Sequence, residues 1–267
     1  MIGFNHLGRL GRFGNQMFQY AALRGIAEKN NYNFCLPYYE NAVNDGLGNM
    51  NYTELFNCFK MSSVTELNIQ TIDNKRPIVS EEKFNFNEDL YNNCPDWISL
   101  FGFFQSEKYF KNVEEIIRND FTFKDHILDP CHDMMQGILE SGKVVGLHIR
   151  RTDFLTNPNH HFVGLDYYKK GLERFSDDVQ VLVFSDDSSW CLEQDLFSHD
   201  RFMVSENNSG YVDMCLMSMC TDFIIGNSSF SWWASWLGNR GKVIAPKNWF
   251  PDDKDTSDLY CKNWEVI

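Results

Sequence analysis

The residues with the most chemistry to offer are His148, Arg150, Arg151 and Asp153, which close the apolar run Val144 to Ile149. In an open α/β sheet, ligands sit beyond the carboxyl ends of the strands, so charges delivered there by a buried strand face a substrate. Two adjacent arginines read as a receptor for an anion. Guanidinium stays charged at any ordinary pH and grips phosphate oxygens bidentately, which lysine cannot do with the same geometry. The competing reading is a strand end with solvated charges and an internal pair between Arg151 and Asp153.

Three further loops offer similar chemistry. Gly8, Gly11 and Gly14, followed by Asn15, join a strand to a helix N-terminus, where free N–H groups and the helix dipole favour an anion. The spacing matches neither a dinucleotide fingerprint nor a P-loop, so a tight turn explains it equally well. Phe184-Ser185-Asp186-Asp187 ends another strand. A carboxylate there can accept from ribose hydroxyls or a base edge, or simply cap the next helix. Gly226-Asn227-Ser228-Ser229-Phe230 opens a helix, and its serines suit either phosphate binding or capping. Trp232, Trp233 and Trp236 beyond it read first as core, with a sugar platform as the alternative. Asp253-Lys254-Asp255 has a metal-like D-x-D spacing but sits in a polar tail, and we read it as a solvated loop.

Short apolar runs alternating with helical segments must position these loops. The first half reads as a strand over residues 1–7, a helix from Asn15 to about residue 30, and a strand at residues 34–36 that stops at Pro37. An Asn- and aromatic-rich irregular stretch extends to about Cys94, and a strand lies within residues 97–104. After Pro130 the rhythm is regular. Strands are expected at 144–149, 179–184, 202–204, 223–225 and 243–245, with helices at 167–175, 190–197, 210–220 and 230–237. Such alternation predicts βαβ units and parallel sheets. The domains expected are 1–138 and 139–267, each Rossmann-like, with anion-binding features at strand ends in both and a ligand in the cleft between them.

Bulk properties exclude several classes. The chain has 267 residues, 43% of them hydrophobic, and a formal net charge of -13. That is enough apolar material for a core, and the wrong charge for nucleic acid or an anionic membrane as the main partner. An anionic ligand must therefore be held by a local cluster. The eight cysteines show no C-x-x-C pair or metal-ligand spacing, and reduced, mostly buried thiols are expected. No apolar run is long enough for a signal peptide or a transmembrane helix, so a cytoplasmic location, free or peripheral at the inner face of the membrane, is the expectation. Three N-x-S/T sequons, at Asn51, Asn207 and Asn227, are read as coincidence.

Taken together, Gly11 to Tyr20, His148 to Asp153, Phe184 to Asp187 and Asn227 to Trp233 resemble the family 11 glycosyltransferases, largely bacterial α-1,2-fucosyltransferases. Three of the blocks are also similar to those of protein O-fucosyltransferases. The resemblance implies a GT-B architecture of two facing Rossmann-like domains, with the acceptor on the N-terminal one and GDP-fucose on the C-terminal one. It implies inverting transfer of L-fucose to the 2-hydroxyl of a terminal β-galactoside, in surface glycan or O-antigen synthesis, without a metal or other cofactor. Carried over by position, Arg150 would bind the β-phosphate and stabilise departing GDP, with Arg151 beside it or paired to Asp153, and His148 near the ribose and phosphates. Ser228, Ser229 and Phe230 would serve the phosphates, Gly14 and Asn15 would reach across the cleft, and Asp213 or Asp186 would meet the guanine edge. The rival readings are an enzyme using another nucleotide sugar or acceptor, and a non-catalytic nucleotide- or glycan-binding module. No base is evident: Asp153, paired to an arginine, would be a weak one, and His160, His161 and Glu28 stand level behind it.

Overall fold

A computed structural model describes residues 1–38, 43–44, 50–140, 142–158, 160–251 and 254–267. The chain divides into two compact units, Met1–Lys124 with Asp255–Cys261, and Asp125–Lys254 with Lys262–Ile267. Asp253, and with it the D-x-D spacing, lies outside the described residues.

The first unit contains strands β1 (Ile2–Gly3), β2 (Phe34–Cys35), β3 (Val43–Asn44), β4 (Met50–Asn51), β5 (Ile78–Ser80) and β6 (Ser99–Phe101). Its helices are α1 (Phe13–Lys29), α2 (Leu55–Cys58), α3 (Glu88–Asn93) and α4 (Glu114–Asp120). Four strands form a parallel sheet in the order β2-β1-β6-β5, and β3 and β4 form an antiparallel ribbon. Strand β5 falls in the stretch expected to be irregular. Ile78 and Ser80 are exposed, so no buried alternation marks it, and pairing with β6 alone makes it a strand. Helix α1 is apolar on nearly every face and is buried accordingly. One polar anchor fixes it: the Tyr20 hydroxyl donates to Asp120, a fully buried carboxylate that also accepts the Ser63 amide and hydroxyl, each at 2.6 Å.

The second unit is the more regular. It carries α5 (Asp125–Glu140), β7 (Val144–Ile149), α6 (Leu165–Leu172), β8 (Gln180–Ser185), α7 (Ser188–Leu192) and β9 (Phe202–Val204). Then follow α8 (Gly210–Met219), β10 (Asp222–Ile224), α9 (Ser229–Gly238), β11 (Val243–Ala245) and β12 (Glu265–Val266). All six strands are parallel, in the order β12-β11-β10-β7-β8-β9. Strand β7 is buried along its whole length, as expected of an inner parallel strand covered on both faces. It pairs with β8 from Val144 opposite Gln180 to Ile149 opposite Ser185.

The expected boundary at 138/139 falls inside α5, and the division between units lies at Lys124/Asp125. Pro130 lies inside this helix, where it removes one helical hydrogen bond. Helix α5 runs through it, since Ile127, Cys131 and Met135 form a buried stripe at helical spacing and the helix packs on α8. None of the eight cysteines, all among the described residues, is in a disulfide, and seven are buried. Among the described residues no helix is long and apolar enough to cross a membrane.

Replacing Asp120 orphans buried donors, at about 1–3 kcal/mol for each unsatisfied group. Asp120→Ala is therefore expected to lower the unfolding free energy by at least that much in a urea titration, and Tyr20→Phe by less. Equal, negligible losses in both variants would show that this anchor does not hold α1.

Candidate active site

In the second sheet, the chain leaves β7 towards β8 and β9, then returns to β10 on the other side of β7 and continues to β11. The connections diverge at the β7–β10 boundary. This is a topological switch point, where the loops on either side part and leave a crevice at the carboxyl ends of the strands. His148 to Asp153 leave β7 there and Gly226 to Phe230 leave β10, so two blocks remote in sequence lie side by side.

The two arginines are held differently. Arg150 Nη2 pairs with Asp153 Oδ1 at 2.6 Å and Nη1 with Asp186 Oδ2 at 3.3 Å. A single turn of 3-10 helix at Asp153–Leu155 folds Asp153 back onto Arg150. Arg151 does not pair with Asp153 as the sequence allowed. Its Nε donates to Asp187 at 2.8 Å, and its guanidinium lies 4.1 Å from the Trp190 ring centre and 5.7 Å from that of Phe162. The reason is direction: successive side chains leave a strand end on opposite sides, and the turn serves only the first arginine. Arg151 is thus a packed brace, and Arg150 is the cation beside the switch point.

His148 is 4% exposed, and its ring stacks on Phe230 with centroids 5.0 Å apart. Burial, with the Arg150 charge second, pushes its imidazole down to about 3. It is a neutral wedge between the two strand ends. A Cβ on Gly226 would lie 3.0 Å from the His148 carbonyl oxygen and 3.2 Å from the Tyr168 hydroxyl, so glycine lets β10 leave the sheet close to β7 without crowding either group. Asn227 is buried and donates to the carbonyls of His161 (2.7 Å) and Trp249 (2.9 Å), which accounts for its burial better than a glycosylation sequon does. Ser228 caps α9 by accepting the Phe230 amide at 3.3 Å. That amide is engaged within the cap, while the Phe230 ring serves His148. Ser229 opens the helix proper. Trp232 and Trp233 are fully buried and Trp236 nearly so, which makes them core.

At the end of β8, one of the acidic pair is a cap and the other ties down the loop after β7. Asp187 caps α7 by accepting the Trp190 amide at 3.3 Å. Asp186 accepts the Arg151 amide at 2.8 Å and the Thr152 hydroxyl, besides pairing with Arg150. Beyond the end of β9, Asp213 in the first turn of α8 accepts the Ser205 hydroxyl at 2.6 Å. Burial raises its carboxyl above the usual range. The carboxyl edge therefore carries, in order, the Gly226–Phe230 turn, the Arg150 loop, Asp186 and Asp213.

In the first unit, Gly8 and Gly11 have positive φ values of 84° and 79°, so a left-handed turn requires them. Gly14 lies inside α1 and is buried. Asn15 Oδ1 accepts from Gln105 at 2.8 Å, and Gln19 donates to the Leu10 and Gly102 carbonyls at 2.8 and 3.1 Å. The glycine loop is thus tied to the segment leaving β6. Glu81, which no sequence pattern marked, accepts the amides of Phe103 and Phe104 at 2.8 and 2.9 Å, and burial pushes its carboxyl up to about 7. Among the described residues no group of three or more His, Cys, Asp or Glu side chains is arranged to hold a metal ion.

Two α/β units with parallel sheets, one carrying an arginine-led site at its switch point, define a GT-B-like glycosyltransferase. The fucosyltransferase NodZ from Bradyrhizobium has the same fold, with a TM-score of 0.57 at 13% identity, covering 91% of this chain and 94% of that one. The chain belongs to glycosyl transferase family 11, which it matches over residues 2–267. It is 34% identical to an Escherichia coli alpha-1,2-colitosyltransferase over 96% of both chains. It is 28% identical to the Escherichia coli O-antigen biosynthesis glycosyltransferase WbnK, over 95% of this chain and 97% of the other.

Because His148 is held neutral in the fold, its sign in the pH dependence of stability is defined. An imidazole with an ordinary value of 6.5 when unfolded and about 3 when folded contributes stability that is complete above pH 6.5 and is lost as pH falls towards 3. His148→Gln is expected to flatten that acid decline in urea titrations across the window. An unchanged slope would mean that His148 protonates freely in the folded protein.

Proposed function

We propose that the protein is an inverting α-1,2-fucosyltransferase. It moves L-fucose from GDP-β-L-fucose to the 2-hydroxyl of a terminal β-galactoside in surface-glycan or O-antigen synthesis. The reading rests on family membership and above all on one observation: Arg150 and the N-terminus of α9 adjoin at the switch point of the second sheet. A diphosphate there would meet a guanidinium and helix-terminal amides together. Adjacent strands lie about 4.8 Å apart, so the β9 end, two strands from β7, stands roughly 10 Å away. That separation suits a nucleoside, and Asp213 is the carboxylate there for the base, with Asp186 committed to the loop. In this reading the second unit takes the donor and the first the acceptor, with Gly14 and Asn15 on the acceptor side.

Loss of GDP builds negative charge on the β-phosphate and oxocarbenium character on the sugar. Preorganised donors aimed at the leaving group lower that barrier without reorganisation at the moment of reaction. Arg150 supplies the charge, Ser229 at the head of α9 supplies an amide dipole, and Asp153 and Asp186 keep the guanidinium in place. The residues present supply the leaving-group charge stabilisation that a metal provides in other transferases, and transfer is expected to persist in EDTA.

The 34% identical colitosyltransferase supports a second reading, in which the same site takes GDP-colitose. Offering GDP-fucose and GDP-colitose side by side to a panel of β-galactosides, with EDTA present, separates the two by product. GDP binding with no transfer from either donor would instead identify a binding module. Arg150→Ala is expected to lower transfer by about a hundredfold to a thousandfold while the protein remains folded, as read by circular dichroism. Turnover near that of the unsubstituted protein would remove Arg150 from the chemistry.

A further inference from the structure

The displacement needs a group to take the proton of the acceptor hydroxyl, and the acids at the carboxyl edge of the second sheet are otherwise engaged. Asp153 and Asp186 neutralise Arg150, and Asp187 holds Arg151 and caps α7. His148 is buried and pushed down to about 3, which makes it both hidden and too weakly basic. His160, by contrast, is partly exposed.

We infer that His160 is the general base of the reaction, acting from a loop that the fold pins beside Arg150. The inference rests on the transferase reading above. Its imidazole lies flat on the Phe154 ring, with centroids 4.1 Å apart and planes 2° from parallel. The Arg150 guanidinium lies 5.6 Å from the same ring's centre, so Phe154 sets the distance between the imidazole and the group assigned to the leaving phosphate. The loop carrying this stack is bound at both ends. Asp186 accepts the Arg151 amide at one end, and Asn227 donates to the His161 carbonyl at the other. Within it, the His160 amide donates to the Asn157 carbonyl at 3.0 Å and the Asn157 amide to that of Asp153 at 3.0 Å.

The charges facing the ring are Asp153 and Arg150. Burial and Arg150 lower its proton affinity, while Asp153 raises it. The result is an imidazole that is neutral at pH 7, partly exposed, and next to a carboxylate that stabilises the imidazolium it becomes. In the step itself, the acceptor O–H bond breaks and its proton passes to an imidazole nitrogen. The acceptor oxygen bonds to the anomeric carbon, and the bond to the β-phosphate oxygen breaks with its electron pair leaving on GDP. Sequence alone could not separate His160 from His161 or Glu28, because the stack and the pinned loop are tertiary.

The test uses the full-length protein with whichever GDP-sugar and galactoside pair the unsubstituted enzyme turns over. His160→Ala and His160→Gln are expected to lower kcat for transfer by about a hundredfold to ten-thousandfold, with GDP affinity unchanged by calorimetry. The fall in rate on acidification that a neutral base imposes should disappear in both variants, and added imidazole should restore part of the Ala variant's rate. Three results overturn the inference: retained transfer, loss of GDP affinity in parallel with transfer in both variants, or an acid limb that survives the substitution. If the unsubstituted protein transfers from neither GDP-sugar, it is the transferase reading that fails, and this is known before any His160 variant is assayed.

Discussion

A guanidinium at the end of a fully buried strand has to be balanced, and the way Arg150 is balanced organises the donor-side loops. Its side chain is 16% exposed, so water screens its charge only in part, and an unpaired cation there would cost several kcal/mol. Two carboxylates share the task from different directions. Asp153 returns through its own 3-10 turn, and Asp186 comes from the neighbouring strand. Since Asp186 also accepts the Arg151 amide and the Thr152 hydroxyl, the same carboxylate ties the end of β8 to the loop after β7. Neutralising one charge thereby sets the path of the backbone around it.

That arrangement suits a site built to exchange one anion for another. A diphosphate arriving at Arg150 would meet a cation already oriented by carboxylates, so little side-chain ordering would be left to offset on binding. The neutral His148 beneath it adds no competing charge and packs on Phe230, which couples the arginine loop to the head of α9. The first unit handles its glycine loop by the same logic. Gln19 donates to the Leu10 carbonyl in the glycine loop and to the Gly102 carbonyl after β6, and Gln105 donates to the Asn15 side chain, so the two irregular segments are tied together through side chains.

Much of the second unit was legible because its elements are strongly patterned. Strand β7 carries the expected residues, β9 and β11 match as well, and α6, α8 and α9 differ only at their ends, whereas the helix expected over residues 190–197 is the short α7 followed by a separate 3-10 turn at Asp195–Phe197. The first unit was less legible for physical reasons. Its strands are two or three residues long, and β5 exposes Ile78, so neither period nor burial announces it. Helix α5 has no counterpart among the expected elements; Pro130 lies inside it, and a stripe of buried side chains against α8 outweighs one missing hydrogen bond. Glu81 had no signal, since what makes it notable is burial against two amides from a distant segment.

By itself the sequence determined the chemistry available: two arginines after an apolar strand, serines opening a helix, an acidic pair after another strand, and a family likeness that links them. It did so because strand and helix periods are local, and because residue type sets charge and hydrogen-bonding capacity. Only the tertiary structure decided which arginine is the packed brace and which stands beside the switch point, which aspartate caps and which ties the loop, and which histidine is buried and which partly exposed. Those roles depend on partners tens of residues away, and it is the strand order β10-β7-β8-β9, not any local pattern, that brings them to one edge.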